Sequence, residues 1–160
     1  MDPKIRQKAL RLLTNGIYVM TSRSGEKFGA ATVTWVSQAS FKPPLLMAAL
    51  RKDGNVLECV VESRRAILHI LDKQQANLAQ TFFASAKESG GLLNGEPYAE
   101  GKKTRAPVLT NAHAHLECEV REIMESHGDH SLVILEVVNA EIRQDVKPLT
   151  VADSPWEYGG

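Results

Sequence analysis

The sequence predicts a mainly β domain with short helical additions, closed as a small barrel. Three observations predict it. Short apolar runs recur, among them the β-branched-containing Ile17–Ser22, then Leu45–Leu50, Arg65–Leu71 and Leu132–Val138; runs of this length read as strands. Turn residues separate the runs, as at Arg23-Ser24-Gly25-Glu26 and Pro43-Pro44. Helical spacing is confined to a few short windows. Many strands with few helices argue a barrel, and the pattern alone does not choose among small barrels.

Each element has a local reason. Asp2-Pro3 opens a helix, with an N-cap candidate before proline at the first helical position. Ile5, Ala9, Leu12 and Leu13 share one face, and Asn15-Gly16 suits a left-handed cap at its end. Lys27–Gln38 returns from the first hairpin as one long strand, with Gly29 permitting a bend or bulge. Pro43-Pro44 cannot continue a ladder and marks a corner before Leu45–Leu50. Asn55–Glu62 has helical spacing through Val56, Leu57, Val60 and Val61. Asn77–Phe83 reads as a short helix with Leu78, Ala79, Phe82 and Phe83 on one side. Ser85–Arg105 is polar and glycine-rich without a period, and reads as a long, mobile loop covering a site. Ala114–Ile123 alternates, with Leu116, Cys118 and Val120 on one face and His115, Glu117, Glu119 and Arg121 on the other.

At 160 residues the chain fits a single domain, 1–160, with a sizeable core. Its 19 basic and 19 acidic residues cancel, so nothing steers the whole molecule to nucleic acid or to an acidic membrane. No apolar run approaches a membrane span. Met1-Asp2-Pro3-Lys4 has no apolar leader pattern, and Cys59 and Cys118 read as reduced, buried residues. A cytoplasmic setting is the resulting expectation.

The segment Ala30–Leu45 carries the most chemistry. A purely structural strand would place apolar residues where Thr32, Thr34, Ser37 and Gln38 stand. Backbone and side-chain donors along one extended stretch suit a polar, flat ligand, and Trp35 is placed either to cover a ring or to pack in a core or interface. Arg51-Lys52-Asp53-Gly54-Asn55 precedes a helix start, where unpaired N–H groups attract anions; Arg51 and Lys52 add charge, and Asn55 can cap. His113-x-His115 with Glu117 shares one strand face. With His127 or His130 it offers a rival reading, a cupin-like metal site. An exposed edge strand collects the same residues with no metal, and no metal is the reading adopted.

Thr-x-Thr-Trp-Val-Ser-Gln-Ala-Ser-Phe-Lys-Pro-Pro at 32–44 resembles the flavin-contacting strand and loop of flavin reductase-like proteins, the FMN-binding split barrels. It looks closest to the flavin-reductase module of cyanobacterial diflavin flavoproteins. Gly128-Asp129-His130 resembles the family's Gly-Asp-His motif beside the flavin, and Ala106-Pro107-Val108-Leu109 with His115-Leu116-Glu117-Cys118 adds a weaker match. The order and spacing agree from about Ala9 to about Ala140. The resemblance implies a split β-barrel and a homodimer. It implies FMN, with FAD as the alternative, and NADH or NADPH as hydride donor to the flavin. It also leaves room for an electron-accepting partner protein, or for an FMN electron relay without its own nicotinamide site.

The resemblance implies flavin contacts from Thr32, Val33, Thr34, Trp35, Ser37, Gln38 and Ala39, and phosphate contacts from Lys52 and Asn55. It implies a role for His130 in orienting nicotinamide or delivering a proton. The family's phosphate loop commonly carries a Ser/Thr/Arg set; here Lys52 and Asn55 stand instead, with Val56 where a hydroxyl is frequent.

Overall fold

The computed structural model describes residues 1–125 and 127–160. Helix α1 spans Pro3–Leu10, and the Asp2 carboxylate caps it by accepting the Lys4 N–H at 2.8 Å. It buries none of its residues, so the apolar face of Ile5, with Leu12 and Leu13 beyond, is exposed. The helix ends at Leu10 with Arg11 as its cap. Asn15-Gly16 is therefore not its terminus; Gly16 forms a β-bridge with Thr150.

Strands β1 (Tyr18–Ser24) and β2 (Lys27–Val33) form a hairpin around Gly25 at φ 58°. β3 is Val36–Ser40, β4 Leu45–Arg51 and β5 Arg65–Ile70. β10 (Ala114–Glu125) and β11 (His130–Ile142) form a long hairpin. Together they make one antiparallel sheet in the order β2-β1-β5-β10-β11-β4-β3. β2 and β3 are consecutive in the chain yet occupy opposite edges. The expected single strand 27–38 is thus broken at Thr34-Trp35, because the sheet curls until its two edges meet there.

Helix α2 (Asn55–Ser63) puts Val56, Leu57 and Val60 into one buried cluster with Met20, Val33, Leu46, Leu50, Leu68, Val120 and Leu135. Val61, expected on that face, is exposed. Gly29 stays in register opposite Ser22, so it makes no bulge. A Cβ there would stand 2.8 Å from the Asn55 carbonyl oxygen and the Val56 Cα, so the glycine lets α2 rest on β2.

Helix α3 (Ala76–Thr81) packs Leu78 and Ala79, with Phe82 just beyond, against a second cluster containing Ile17, Val19, Leu93, Leu109 and Leu149. The expected loop 85–105 is instead largely paired. It holds β6 (Glu88–Ser89), β7 (Leu92–Leu93) and β8 (Glu96–Glu100), which join β9 (Pro107–Leu109) in a four-stranded sheet. Gly90-Gly91 and Asn94-Gly95, all at positive φ, make the two tight turns.

Two buried polar groups fasten this sheet to the barrel. His69 Nδ1 donates to the Val19 carbonyl at 3.0 Å, and Nε2 accepts the Leu109 N–H at 2.9 Å. Those partners select the neutral Nδ1–H form, and burial lowers its pKa to about 3. Glu117 accepts the N–H groups of Lys102, Lys103 and Thr104, the Thr104 hydroxyl and the Asn139 amide. Burial pushes the Glu117 pKa up, but the hydrogen bonds from Thr104, Asn139 and Lys103 outweigh it and hold the carboxyl at about 2.

The face of His115 and Glu117 is therefore not an exposed edge. β10 lies inside the sheet, and His115 and Glu117 are buried. Among the described residues no cluster of His, Cys, Asp or Glu could hold a metal, and the Glu117 oxygens are already engaged by donors. Cys59 and Cys118 are free and buried, and burial raises the Cys118 thiol to about 12. No helix among the described residues is long and apolar enough to cross a membrane.

The Glu117 clip carries a pH signature. Its folded pKa of about 2 lies below the ordinary 4.5. Its stabilisation is complete above 4.5 and is lost as pH falls toward 2. The shift corresponds to about 3 kcal/mol at most. Glu117→Gln should cost about 1.5–3 kcal/mol at neutral pH and flatten stability across that acid window. Urea unfolding at a series of pH values measures both; an unaltered acid slope would remove Glu117 as its source.

Candidate functional site

A cavity of about 550 Å³ opens at the seam where β2 hands over to β3. That size is in the range of small-molecule sites. The end of β2 and the link Thr34-Trp35 form one wall, and the end of β4 with the first turn of α2 form another. Phe82–Ser85 after α3, His130 at the start of β11, and Val151, Ser154, Trp156 and Tyr158 complete it.

The aromatic walls are mutually braced. The Trp35 ring lies 4.6 Å from the His130 ring and 5.9 Å from that of Tyr158. Trp156 meets Phe83 edge-on at 4.9 Å. Trp35 is thus a cavity wall, 37% exposed, rather than a core residue. Phe82 is core at 1% exposure, while Phe83 is exposed.

The polar edge comes from broken pairing. Thr32 is committed to α3: its N–H donates to the Phe82 carbonyl and its hydroxyl to the Ala79 carbonyl. Val33 turns its side chain into the barrel core. The Trp35 carbonyl accepts the Ala49 N–H at 2.9 Å. Thr34 and Trp35 lie outside any strand, and both line the cavity.

The end of the cavity suited to an anion is the start of α2. Gly54 is its N-cap and brings no side-chain cap, so the first-turn N–H groups stay open toward the cavity. Asn55, expected as a cap, is the first helical residue. Arg51 pairs twice with Asp53, at 2.9 and 2.7 Å, and holds its carboxyl below the usual range. Lys52 lies beside the cavity without lining it, its Nζ 3.6 Å from Glu125 and its N–H on the Asp129 carbonyl.

His130 pairs across the sheet with Arg51, and its Nδ1 is 2.6 Å from the Asp129 carboxylate. Contact with His130 lowers the Asp129 pKa. The carboxylate orients the ring from one side and Trp35 packs it from the other. The cavity thus brings together Thr32, Val33, Thr34, Trp35, Asn55 and His130. Ser37, Gln38 and Ala39 lie on β3, exposed and outside it.

Flat aromatic walls, an unladdered backbone link at one edge and a helix N-terminus without a side-chain cap fit a planar heterocycle bearing a phosphate. The family model for the flavin reductase like domain matches residues 10–157. The chain belongs to the flavin reductase-like family. Diflavin flavoprotein A 1 of Synechocystis is 32% identical over 136 residues, 85% of this chain and 24% of that protein. The chain thus spans about a quarter of the length of these curated relatives. The NADH-dependent FAD reductase of Streptomyces globisporus is 26% identical over 144 residues, 88% of this chain and 78% of that protein. The solved NADH:FAD oxidoreductase of Streptomyces globisporus C-1027 matches with a TM-score of 0.81 at 22% identity, over 100% of this chain and 96% of that one. That likeness shows the fold, a split β-barrel.

The wall formed by Val151–Tyr158 has no counterpart in the sequence reading of this flavin reductase-like chain. Its available signal is two aromatic residues, Trp156 and Tyr158, in a short turn-rich stretch without period.

The chain has two tryptophans, Trp35 and Trp156, and both line the cavity. A planar ligand bound there should quench most of the tryptophan emission. Trp35→Phe and Trp156→Phe should each remove part of the quenchable signal. Tight binding that leaves the emission unquenched would locate the ligand elsewhere.

Proposed function

We propose that this chain is an FMN-binding, NAD(P)H-dependent flavin reductase that works as a single domain, 1–160, within a homodimer. The observation that carries the reading is the seam cavity, where aromatic walls meet an uncapped helix N-terminus in a flavin reductase-like chain. The nearer curated relatives support it: one is a diflavin flavoprotein, and another is an NADH-dependent FAD reductase. FMN is the favoured flavin over FAD, and either NADH or NADPH can serve as donor.

A bound flavin supplies the ring that accepts hydride from nicotinamide. The rest is positioning by the protein. Trp35, Phe83, Trp156 and Tyr158 hold flat rings and exclude water. The backbone of Thr34 and the N–H of Trp35, which lie in the link between β2 and β3, bond the polar edge. The N–H groups at Asn55 and Val56 receive the phosphate, with Lys52 adding nearby charge. His130, oriented by Asp129, positions the nicotinamide or delivers a proton. The exposed rim of the cavity would let free flavin, oxygen, iron or a partner protein reach a flavin held there. A cytoplasmic setting, where nicotinamide nucleotides are held, suits the two free cysteines.

Anaerobic mixing of the FMN-loaded protein with NADH and with NADPH tests the activity. Bleaching of the flavin band by at least one donor is expected. His130→Ala should slow it by roughly ten- to a thousandfold with FMN affinity nearly intact. Persistence of the oxidised band with both donors would leave an electron relay instead. Riboflavin should bind less tightly than FMN by about 1.5–3 kcal/mol, and equal affinity would remove the phosphate site.

The dimer has its own support. Phe41, in the turn between β3 and β4, is 89% exposed, and Met47 on β4, opposite Ser37, is also exposed. Sedimentation equilibrium at micromolar concentration should give twice 17.6 kDa; a flavin-loaded monomer would contradict the proposal.

A further inference from the structure

We propose that the segment 151–160 is the removable wall of the flavin cavity, that Arg11 is its clip, and that release of this clip controls flavin exchange. The proposal rests on the flavin reading above and adds how the ligand enters and leaves.

The root of the segment is stitched into the barrel. Ile17 N–H donates to the Leu149 carbonyl, Leu149 N–H to the Leu71 carbonyl, and Val151 N–H to the Asn15 carbonyl, each at 2.9 Å. Leu149 is buried in the second core cluster. Beyond Val151 the bonding changes character. The Ser154 hydroxyl bonds within the segment, to the Val151 and Trp156 carbonyls. Trp156 and Tyr158 lean inward on Phe83 and Trp35 by ring contact.

The outer end is held from the other side. Arg11 Nη1 donates to the Glu157 carboxylate at 2.8 Å, and Arg11 Nε to the Gly159 carbonyl at 2.9 Å. The pair is exposed, Glu157 at 82%. An ion pair in that setting is weak enough to open often. Arg11 itself follows α1, which buries no residue.

Most of the other walls are fixed by ladders or core: the ends of β2 and β4, the start of α2, the link Thr34-Trp35 tied by the Trp35 carbonyl to Ala49, and the buried Phe82. Opening of the segment 152–160 breaks the exposed Arg11–Glu157 pair, the Arg11–Gly159 hydrogen bond, the Thr150–Asp153 hydrogen bonds and two ring contacts, and lifts Trp156 from the rim of the second core cluster. Its opening uncovers the side of the cavity lined by Trp35 and Phe83. A tight strap keeps flavin as a prosthetic group, and a loose one makes it a substrate that leaves when reduced.

Stopped-flow release of FMN, followed by recovery of flavin fluorescence, is the test. Arg11→Ala should raise the dissociation rate roughly threefold to tenfold, with the unfolding curve of the apoprotein unchanged. Arg11→Lys, which can still meet Glu157, should fall between. Riboflavin, which carries no phosphate, isolates the clip from the anion site: raising salt should speed its release from wild-type protein and leave the Arg11→Ala rate unaltered. Tyr158→Ala, which deletes wall as well as contact, should release FMN faster still. A wild-type protein that binds no flavin overturns the flavin reading and this one with it. Flavin bound normally but released from Arg11→Ala at the wild-type rate overturns the strap alone, as does an effect confined to the unfolding curve.

Discussion

The site depends on one covalent constraint, the two-residue link Thr34-Trp35 between opposite edges of the sheet. Three peptide steps separate Val33 from Val36, a reach of about 11 Å at most. The two edge strands must therefore come together, and a seven-stranded sheet has to curl into a barrel to let them. At that seam the ladder is interrupted. The interruption both opens a cavity and lines it with the unladdered link, so the gap in the barrel and the polarity of the gap have one cause.

Two buried polar residues determine what covers the outside of the barrel. His69 is matched by a carbonyl on one side and an N–H on the other, and stays neutral. Glu117 stays charged because its donors replace the water it loses. Both fasten the small second sheet against β5 and β10. That sheet brings Leu93 and Leu109 over the outer cluster beside Phe82. With Phe82 sunk in the core, the next residue, Phe83, is delivered to the cavity wall. The charge balance of the cavity follows the same economy, since the Arg51 guanidinium is matched by Asp53 and the helix start supplies the open donors.

Much of this was legible in the chain. Asp2-Pro3 opens a helix as expected, and Val56, Leu57 and Val60 face a core. Of the polar stretch Thr32–Ser40, the part Thr32–Trp35 borders the cavity, while Ser37, Gln38 and Ala39 lie outside it. Two readings differ from the structure, one with a local signal and one without. Gly90-Gly91 and Asn94-Gly95 are hairpin turns, yet their strands are too short to show alternation, so the segment reads as a loop. The His115–Glu117 face looks like solvent-facing polarity, because a buried carboxylate and an exposed one have the same letter. Only the donors on Lys102, Lys103, Thr104 and Asn139 tell them apart, and those lie 13 to 22 positions away.

By itself, the sequence determined the elements whose cause is local: the Asp2-Pro3 helix opening, the turn at Arg23–Glu26, the apolar strands, the core face of Val56, Leu57 and Val60, and the unusual polarity of Thr32 and Thr34. Local periodicity reports which faces of one element differ, and it does so within a few residues. What only the tertiary structure decided is the pairing of remote surfaces. Trp35 meets Tyr158, and Arg11 meets Glu157, across more than a hundred residues. Such contacts carry no period and no motif, because they follow from barrel closure and chain routing rather than from the preference of any segment.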